Sequence, residues 1–339
     1  MSKRVTSHDV AALAGVSRTT VSYVINGKDQ SIGEETRARV LEAARTLGYQ
    51  PDESARTLRK GVSNEIGLFG MWPFRAQFNY EFASTLQDEA NQIGYNLVIY
   101  TSKLTSEPEI NSWINQILAR RPLGIIGTMQ EIRRENYETM QNMGVKACVL
   151  FGFEPSGYAP TVILPVQQAA YLVGKHLFEK GHTHIGLLVP DEPWQEPAVQ
   201  SRIRGLNQAA QEANLGNQFQ LKQTTTSGEL ADIREKIKAI LKTPNPPSAI
   251  YGHNDEYSFQ VMKTLLEMGI RIPQDIAVVG TDNTTLCEVF HPALTSVAFD
   301  MMGLAHRCVK ALQYQIEGQP IPAGLLDGLQ PVLIPRQTS

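Results

Sequence analysis

The chain has 339 residues, of which 42% are hydrophobic, and a formal net charge of −3; that length exceeds one small core and requires two or three domains. No run of about 18 or more uncharged apolar residues occurs, and Lys3 and Arg4 are not followed by an apolar stretch, which excludes a membrane span and an export signal and predicts a cytoplasmic protein. Cys148, Cys287 and Cys308 are widely spaced without a CxxC pair, so they read as buried apolar residues rather than a disulfide framework or a zinc site.

The charge is uneven along the chain. Residues 1–60 carry ten Lys or Arg against seven Asp or Glu, and the remainder carries 21 against 27. Attraction to phosphate acts locally, so a small basic head on a larger acidic body suits a protein that docks one end on DNA and offers the other to a different partner.

Thr6 to Asn26 reads TSHDVAALAGVSRTTVSYVIN. Thr6 followed by Asp9 is a capping-box arrangement that predicts a helix from about Ser7, with Val10, Leu13 and Ala14 on its inner face at helical spacing. Gly15 occupies the tight reversal, where a left-handed backbone favours glycine. Ser17 then caps a second helix. Its Val21 and Val24 face the first helix, and Arg18, Thr19, Ser22 and Tyr23 point outward near its N-terminal half. Any amphipathic helical hairpin shares the glycine and the spacing. Two caps, the turn glycine and polar outward tips together form a helix-turn-helix whose second helix can touch base edges.

A third helix is expected over 34–47, with Val40, Leu41, Ala44 and Leu47 on one side and Gly48 as its stop signal. Residues 49–65 form a linker in which Pro51 ends regular structure and Ser54 to Leu58 is compatible with one short helix. Leu58 is a large apolar residue among Arg56, Arg59 and Lys60. Read alone, it is a linker leucine that packs on a neighbouring domain.

From Glu65 the pattern alternates between strand and helix: strand 65–71, helix 80–93, strand 96–102, helix 107–120, strand 124–128, helix 136–143 and strand 147–153. It restarts with helix 166–180, strand 184–190, helix 199–213, strand 218–223, helix 230–241, strand 248–252, helix 255–268 and strand 276–281. Two α/β halves of about a hundred residues each, with parallel doubly wound sheets, would present the carboxyl ends of their strands to a shared cleft.

The stretches DVAALAGVSRTTVSYVING (9–27), EETRARVLEAARTLGYQPD (34–52), ARTL (55–58), KGHTHIGLL (180–188), GHND (252–255), IPQDIAVVGTDN (272–283) and PALTSV (292–297) resemble the LacI/GalR family of bacterial transcription regulators. The resemblance covers essentially the whole chain. It implies an all-α helix-turn-helix headpiece (1–50), a hinge with a short helix (51–64), and a two-lobed α/β periplasmic-binding-protein-like core (65–339) with parallel doubly wound sheets. The N-lobe would span about 65–160 plus a C-terminal crossover, and the C-lobe about 161–295. A homodimer would read double-stranded palindromic operator DNA under the control of a small-molecule effector, with no cofactor, no metal and no membrane partner.

The resemblance also assigns residues. Arg18, Thr19 and Tyr23 match base-contacting positions, where an arginine can bond a guanine edge with two N–H groups. Many members have arginine where Tyr23 stands, which predicts a different half-site. Ser17, Thr20, Ser22 and Asn26 match positions that hold phosphates, and Thr6, Tyr49, Ala55, Arg56 and Arg59 complete the expected DNA-binding set. Leu58 matches a hinge leucine wedged into the minor groove at the operator centre, where it would unstack a base step. For the effector, Arg202, Asn254 and Asp282 match ligand-bonding positions, and Trp72, Phe74 and Phe78 lie in the first cleft loop, suited to stacking on a flat ligand or packing in a core.

Two departures bear on the ligand. Leu164-Pro165-Val166 replaces a usual Asp-Asn pair, and Gly152 stands where many sugar-responsive members carry a charge. With fewer fixed polar groups, the site takes a sugar or sugar derivative bound unusually, or a ligand that is not a sugar. No apolar heptad follows Ser339 to add a coiled coil, so a dimer is expected.

Two other classes compete. An enzyme would use the paired lobes, but the chain lacks GxGxxG, a Walker loop and GxSxG, and His176, His182 and His184 read as structural rather than metal-ligating. A solute-binding protein would need an export signal and no headpiece. Repression is expected over activation, because a dimer clamped on bent DNA blocks polymerase by occupancy.

Overall fold

The computed structural model describes residues 5–26, 32–50, 63–70, 77–101, 107–129 and 131–339. The chain forms two compact units, Met1–Ser63 and Asn64–Ser339. No helix among the described residues is long and apolar enough to cross a membrane.

The first unit holds α1 (Ser7–Ala14), α2 (Arg18–Asn26) and α3 (Glu34–Leu47), close to the spans read from the sequence. At the start of α1 the Thr6 amide and hydroxyl both donate to the Asp9 carboxylate, at 2.8 and 2.7 Å. Gly15 and Gly48 end α1 and α3 in the left-handed region, at φ 67° and 62°, which a Cβ would strain. The core is Val10, Ala11, Ala14, Val21, Val24, Val40, Ala43 and Ala44. Two expectations fail here: Leu13 is 55% exposed and Leu41 is 44% exposed. Their inner places go to Ala11 and Ala43, whose small side chains let three short helices approach closely.

The second unit opens with β1 (Glu65–Gly70), α4 (Gln77–Gln92), β2 (Asn96–Thr101), α5 (Glu107–Leu118), β3 (Gly124–Thr128), α6 (Arg134–Asn142), β4 (Ala147–Gly152) and β5 (Thr161–Ile163). These strands form a parallel sheet of order β2-β1-β3-β4-β5. Then follow α7 (Val166–Glu179), β6 (His184–Pro190), α8 (Glu196–Glu212), β7 (Gln220–Thr226), α9 (Leu230–Leu241), β8 (Ala249–Gly252), α10 (Asp255–Glu267) and β9 (Ala277–Thr281). The chain ends with α11 (Leu286–Val289), β10 (Thr295–Ala298), α12 (Met301–Ile316) and β11 (Val332–Ile334). The second sheet has the order β11-β10-β9-β8-β6-β7, parallel except for β11. From β7 to β10 it repeats the strand order of the first sheet.

The central strands of both sheets are apolar on both faces, as parallel strands covered by crossover helices must be. In β3, Ile125 packs with Ile114, Ile117, Met140 and Leu150 on one face. Its neighbour Ile126 packs with Phe82, Leu86, Leu304 and Leu312 on the other. In β6, Leu187 joins Val173, Leu177 and Leu206, while Leu188 joins Ile233, Ile237 and Leu265.

The lobe boundaries differ from the sequence-based ones. β5 belongs to the first sheet rather than opening the C-lobe, because Leu150, Phe151 and Gly152 pair with Thr161, Val162 and Ile163. The chain then crosses to the second lobe, returns after β10 to place α12 against the first sheet, and crosses again to β11. Three connections therefore join the lobes.

Candidate functional site

In the headpiece, Ser17 Oγ accepts from the Thr20 amide at 3.0 Å and pairs with the Thr20 hydroxyl at 2.9 Å, so Ser17 caps α2. Arg18, Thr19 and Tyr23 are exposed on α2, with Tyr23 43% accessible despite its size. Ser17 and Thr6 are exposed and Thr20 and Ser22 half-buried, while Tyr49 packs against the headpiece core. Ala55, Arg56, Leu58, Arg59 and the side chain of Asn26 lie outside the described residues.

In the second unit a cleft of about 550 Å³ opens between the lobes. It lies at the carboxyl ends of β3 and β4 on one side and of β6, β8 and β9 on the other, the place where doubly wound sheets bind ligands. Arg202, Asn254 and Asp282 all line it. So do Gly152, Leu164 and Val166, the positions that the sequence reading set apart from the family pattern. Trp72, Phe74 and the side chain of Phe78 lie outside the described residues. The aromatic surface that is described comes from Phe151, Phe153, Trp194, Tyr257 and Phe299.

Each polar side chain is positioned by the local chain. Arg202 projects from α8 and is 4% exposed; it donates to the carbonyls of His253 at 2.7 Å and Ala198 at 3.3 Å. Asn254 caps α10, its Oδ1 accepting from the Tyr257 amide at 3.0 Å. The side chain read from sequence as a ligand contact therefore has its oxygen committed to the helix start.

Asp282 follows β9 with φ 102°, a left-handed backbone that a non-glycine residue adopts only when its surroundings impose it. Here its amide donates to the Val297 carbonyl at 2.8 Å, and the Asn283 amide to the Ser296 hydroxyl at 3.1 Å. Burial and the nearby Asp255 push the Asp282 carboxyl well above the usual carboxylate range, and Arg202 opposes them.

Beneath Asp282, Asp255 gathers three donors. Its Oδ1 accepts from the Ser296 hydroxyl at 2.5 Å, and its Oδ2 from the Thr284 amide at 2.7 Å and the Cys287 thiol at 3.1 Å. Burial nevertheless raises its pKa. His253 is pushed well below the usual imidazole range, first by burial and then by Arg202.

Four polar atoms among the lining residues are buried without a hydrogen bond: Glu192 Oε2, Arg202 Nε, His253 Nδ1 and Gln260 Oε1. Buried polar groups are nearly always satisfied, so four such atoms together mark this cleft as polar at its floor. Of these residues, only Arg202 was found by sequence reasoning. His253 adjoins the GHND stretch that drew attention to Asn254, but Glu192 and Gln260 carry no sequence signal, since they reach the cleft through a loop and a helix interior.

The three histidines do not form a cluster with one role. His176 Nε2 pairs with the Ser339 hydroxyl at 2.9 Å, His182 Nδ1 pairs with the Ser248 hydroxyl at 3.0 Å, and His184 Nδ1 is buried without a partner. Among the described residues no group of three or more His, Cys, Asp or Glu could hold a metal ion. All three cysteines are buried, as expected, and burial pushes the Cys148 and Cys287 thiols up to about 12.

Comparison with known proteins extends these observations. Residues 6–52 match the family model for bacterial regulatory proteins, lacI family, and residues 175–339 match a periplasmic binding protein-like domain. The HTH-type transcriptional repressor PurR of Vibrio vulnificus (strain CMCP6) is 31% identical over 295 residues, which is 86% of each chain. The lac repressor dimer bound to operator and the anti-inducer ONPF superposes with TM-score 0.83 at 24% identity over 99% of both chains. The transcriptional regulator CelR in complex with cellobiose gives TM-score 0.68 at 23% identity, over 99% of this chain and 100% of that one.

Proposed function

The chain belongs to the lacI family of bacterial regulatory proteins, and from that premise we propose that it represses transcription as a cytoplasmic homodimer bound to a palindromic operator, under the control of a sugar or sugar derivative. It is a DNA-binding transcriptional regulator with an effector-binding domain, and not an enzyme.

The observation that carries the effector reading is the interlobe cleft, which Arg202, Asn254 and Asp282 all line and in which four side-chain atoms, Arg202 Nε among them, are buried without a hydrogen bond. Aromatic walls with a few fixed polar groups are the composition of a small-molecule pocket, and they offer a sugar ring both a stacking surface and hydrogen-bond partners. A ligand touching both lobes binds one lobe arrangement better than another, which is all that control of DNA affinity requires.

The operator reading is supported by Arg18, Thr19 and Tyr23, which stand exposed together on α2. Leu58 is proposed as the minor-groove wedge. The dimer reading is supported by large apolar groups left open on the second unit: Leu286, Val289 at 75% exposure, Phe290 and Tyr80 at 70%. Isolated exposed apolar residues are ordinary, but Leu286, Val289 and Phe290 fall within one short segment, as at a homodimer face.

The test is to select operators from a random duplex pool with the purified full chain, then screen sugars, sugar phosphates and nucleosides by thermal shift, since a ligand of the folded state raises Tm. The expected result is a palindrome, and a sugar-class hit that alters its affinity. A selected site without two-fold symmetry overturns the dimer reading, and hits confined to nucleosides overturn the sugar reading.

A further inference from the structure

The two walls of the cleft differ in charge. On the N-lobe side the described lining residues Thr128, Phe151, Gly152, Phe153, Leu164 and Val166 are all uncharged. On the C-lobe side Glu192, Glu229 and Glu256, beside an Asp282 whose carboxyl burial pushes well above the usual range, face a single cation among the described lining residues, Arg202. Its two Nη groups are bonded to the His253 and Ala198 carbonyls, while its Nε has no partner.

Beside the unbonded Arg202 Nε and His253 Nδ1, the C-lobe wall leaves two acceptor oxygens without a partner. Gln260 Nε2 donates to the Gly228 carbonyl at 3.1 Å, which fixes the amide and makes Oε1 the atom it has to offer. Gln260 Oε1 and Glu192 Oε2 are both acceptors, and both are buried without a partner. Tyr257 lies one turn before Gln260 on α10, and the charges of Glu192, Asp191 and Glu256 add to burial in raising its pKa, so these groups share one neighbourhood. Buried acceptors without donors are costly, and a charged one more so than a neutral one.

We propose that the effector carries a protonated amine, as an amino sugar does, held by the Glu192 carboxylate and the Gln260 amide oxygen at the C-lobe end of the cleft. An ammonium group brings three donors, no acceptor and a positive charge. A hydroxyl brings one donor and no charge, and a phosphate adds negative charge to an acidic wall. The inference rests on reading the cleft as the effector site, and it narrows the ligand to a cationic class.

The test is calorimetric titration of the full-length protein with glucosamine and its β-1,4-linked dimer, against N-acetylglucosamine, glucose and glucose 6-phosphate. The amines are expected to bind at least ~10-fold more tightly than their N-acetylated or amine-free counterparts, as a charge-assisted bond is worth over a neutral one. Glu192→Gln, close in shape and checked for an unchanged Tm, should reduce amine affinity by about the same factor. The proposal is overturned if neutral or phosphorylated sugars bind as tightly as the amines, if Glu192→Gln leaves amine affinity unchanged, or if no compound of the panel binds. Failure of the amine and failure of the site give different results. A neutral sugar whose binding is weakened by Arg202→Lys leaves the cleft as the effector site, whereas a ligand indifferent to Arg202→Lys, Glu192→Gln and Gln260→Leu binds elsewhere.

Discussion

Arg202 and His253 are joined by a guanidinium-to-carbonyl hydrogen bond of 2.7 Å that ties α8 to the turn between β8 and α10 at the floor of the cleft. Because Arg202 is almost fully buried, the bond serves the fold as well as any ligand. Arg202→Met should lower unfolding free energy by about 1–3 kcal/mol, the cost of a buried carbonyl left unpaired, and abolish the effector response. Urea unfolding and effector-dependent operator release measure the two parts. A variant that still answers to effector would take the guanidinium out of the site.

Asp255 accepts from Ser296, Thr284 and Cys287 at once. Asp255→Asn turns one acceptor into an NH₂ group aimed at donors. The expected loss is about 2 kcal/mol or more, since hydrogen bonds to a charged group exceed neutral ones, with weakened effector binding because the Asn283–Thr284 turn that follows Asp282 loses its anchor. Chemical denaturation that matches the unsubstituted protein would refute this.

Acid should act on the cleft through His253. Its folded pKa lies well below 6.5, so below pH 6.5 the unfolded chain takes up a proton that the folded chain refuses. The stabilisation is complete above 6.5 and is lost as pH falls. Asp255 and Asp282, with raised pKa values, act in the opposite direction, so the difference between wild type and His253→Asn is the informative quantity. It should shrink by up to ~1.4 kcal/mol per pH unit below that point, read from denaturation midpoints at pH 7.5, 6.5 and 5.5.

Gly205 sits where α8 crosses α7. A Cβ there would run into the Gln167 carbonyl, the Tyr171 amide and the Ala170 side chain. Alanine inside a helix ordinarily gains about 1 kcal/mol over glycine, but overpacking against backbone costs about 1–3 kcal/mol. Gly205→Ala is therefore expected to lower Tm. An increase would mean that the helices separate freely.

Tyr23 stands exposed beside Arg18 and Thr19 on α2. Tyr23→Arg should shift the preferred half-site toward guanine at the contacted position, since arginine pairs with the guanine major-groove edge at about 1–3 kcal/mol of discrimination. Parallel selections with both proteins test this. Identical preferred sites would show that Tyr23 does not read sequence.

The elements with strong apolar runs, from β1 to β9, were legible because buried parallel strands and amphipathic helices announce themselves by period. Leu13 and Leu41 were not, since spacings of three and four residues both lie on a helical face and packing chose the alanines. The helix α12 carried a readable pattern in Leu304, Cys308, Val309 and Leu312, between the N-cap Asp300 and the positive-φ Gly318. Its place in the first lobe was expected only through the family resemblance, as the C-terminal crossover, because no local residue encodes that crossing. In the cleft, Arg202 and Asp282 were found by resemblance. Glu192 and Gln260 were invisible, because burial without a partner is a property of three-dimensional packing.

The return of α12 has a consequence for synthesis. Leu304, Cys308, Val309 and Leu312 complete the core around Ile66, Phe82 and Leu86, more than two hundred residues earlier in the chain. Contacts at that separation form late, whereas the headpiece folds from local contacts alone. On the ribosome the DNA-reading end can be ready at once, while the lobe next to it waits for the last helix. A nascent or truncated chain would thus carry a reader without its control, and only the finished polypeptide joins them.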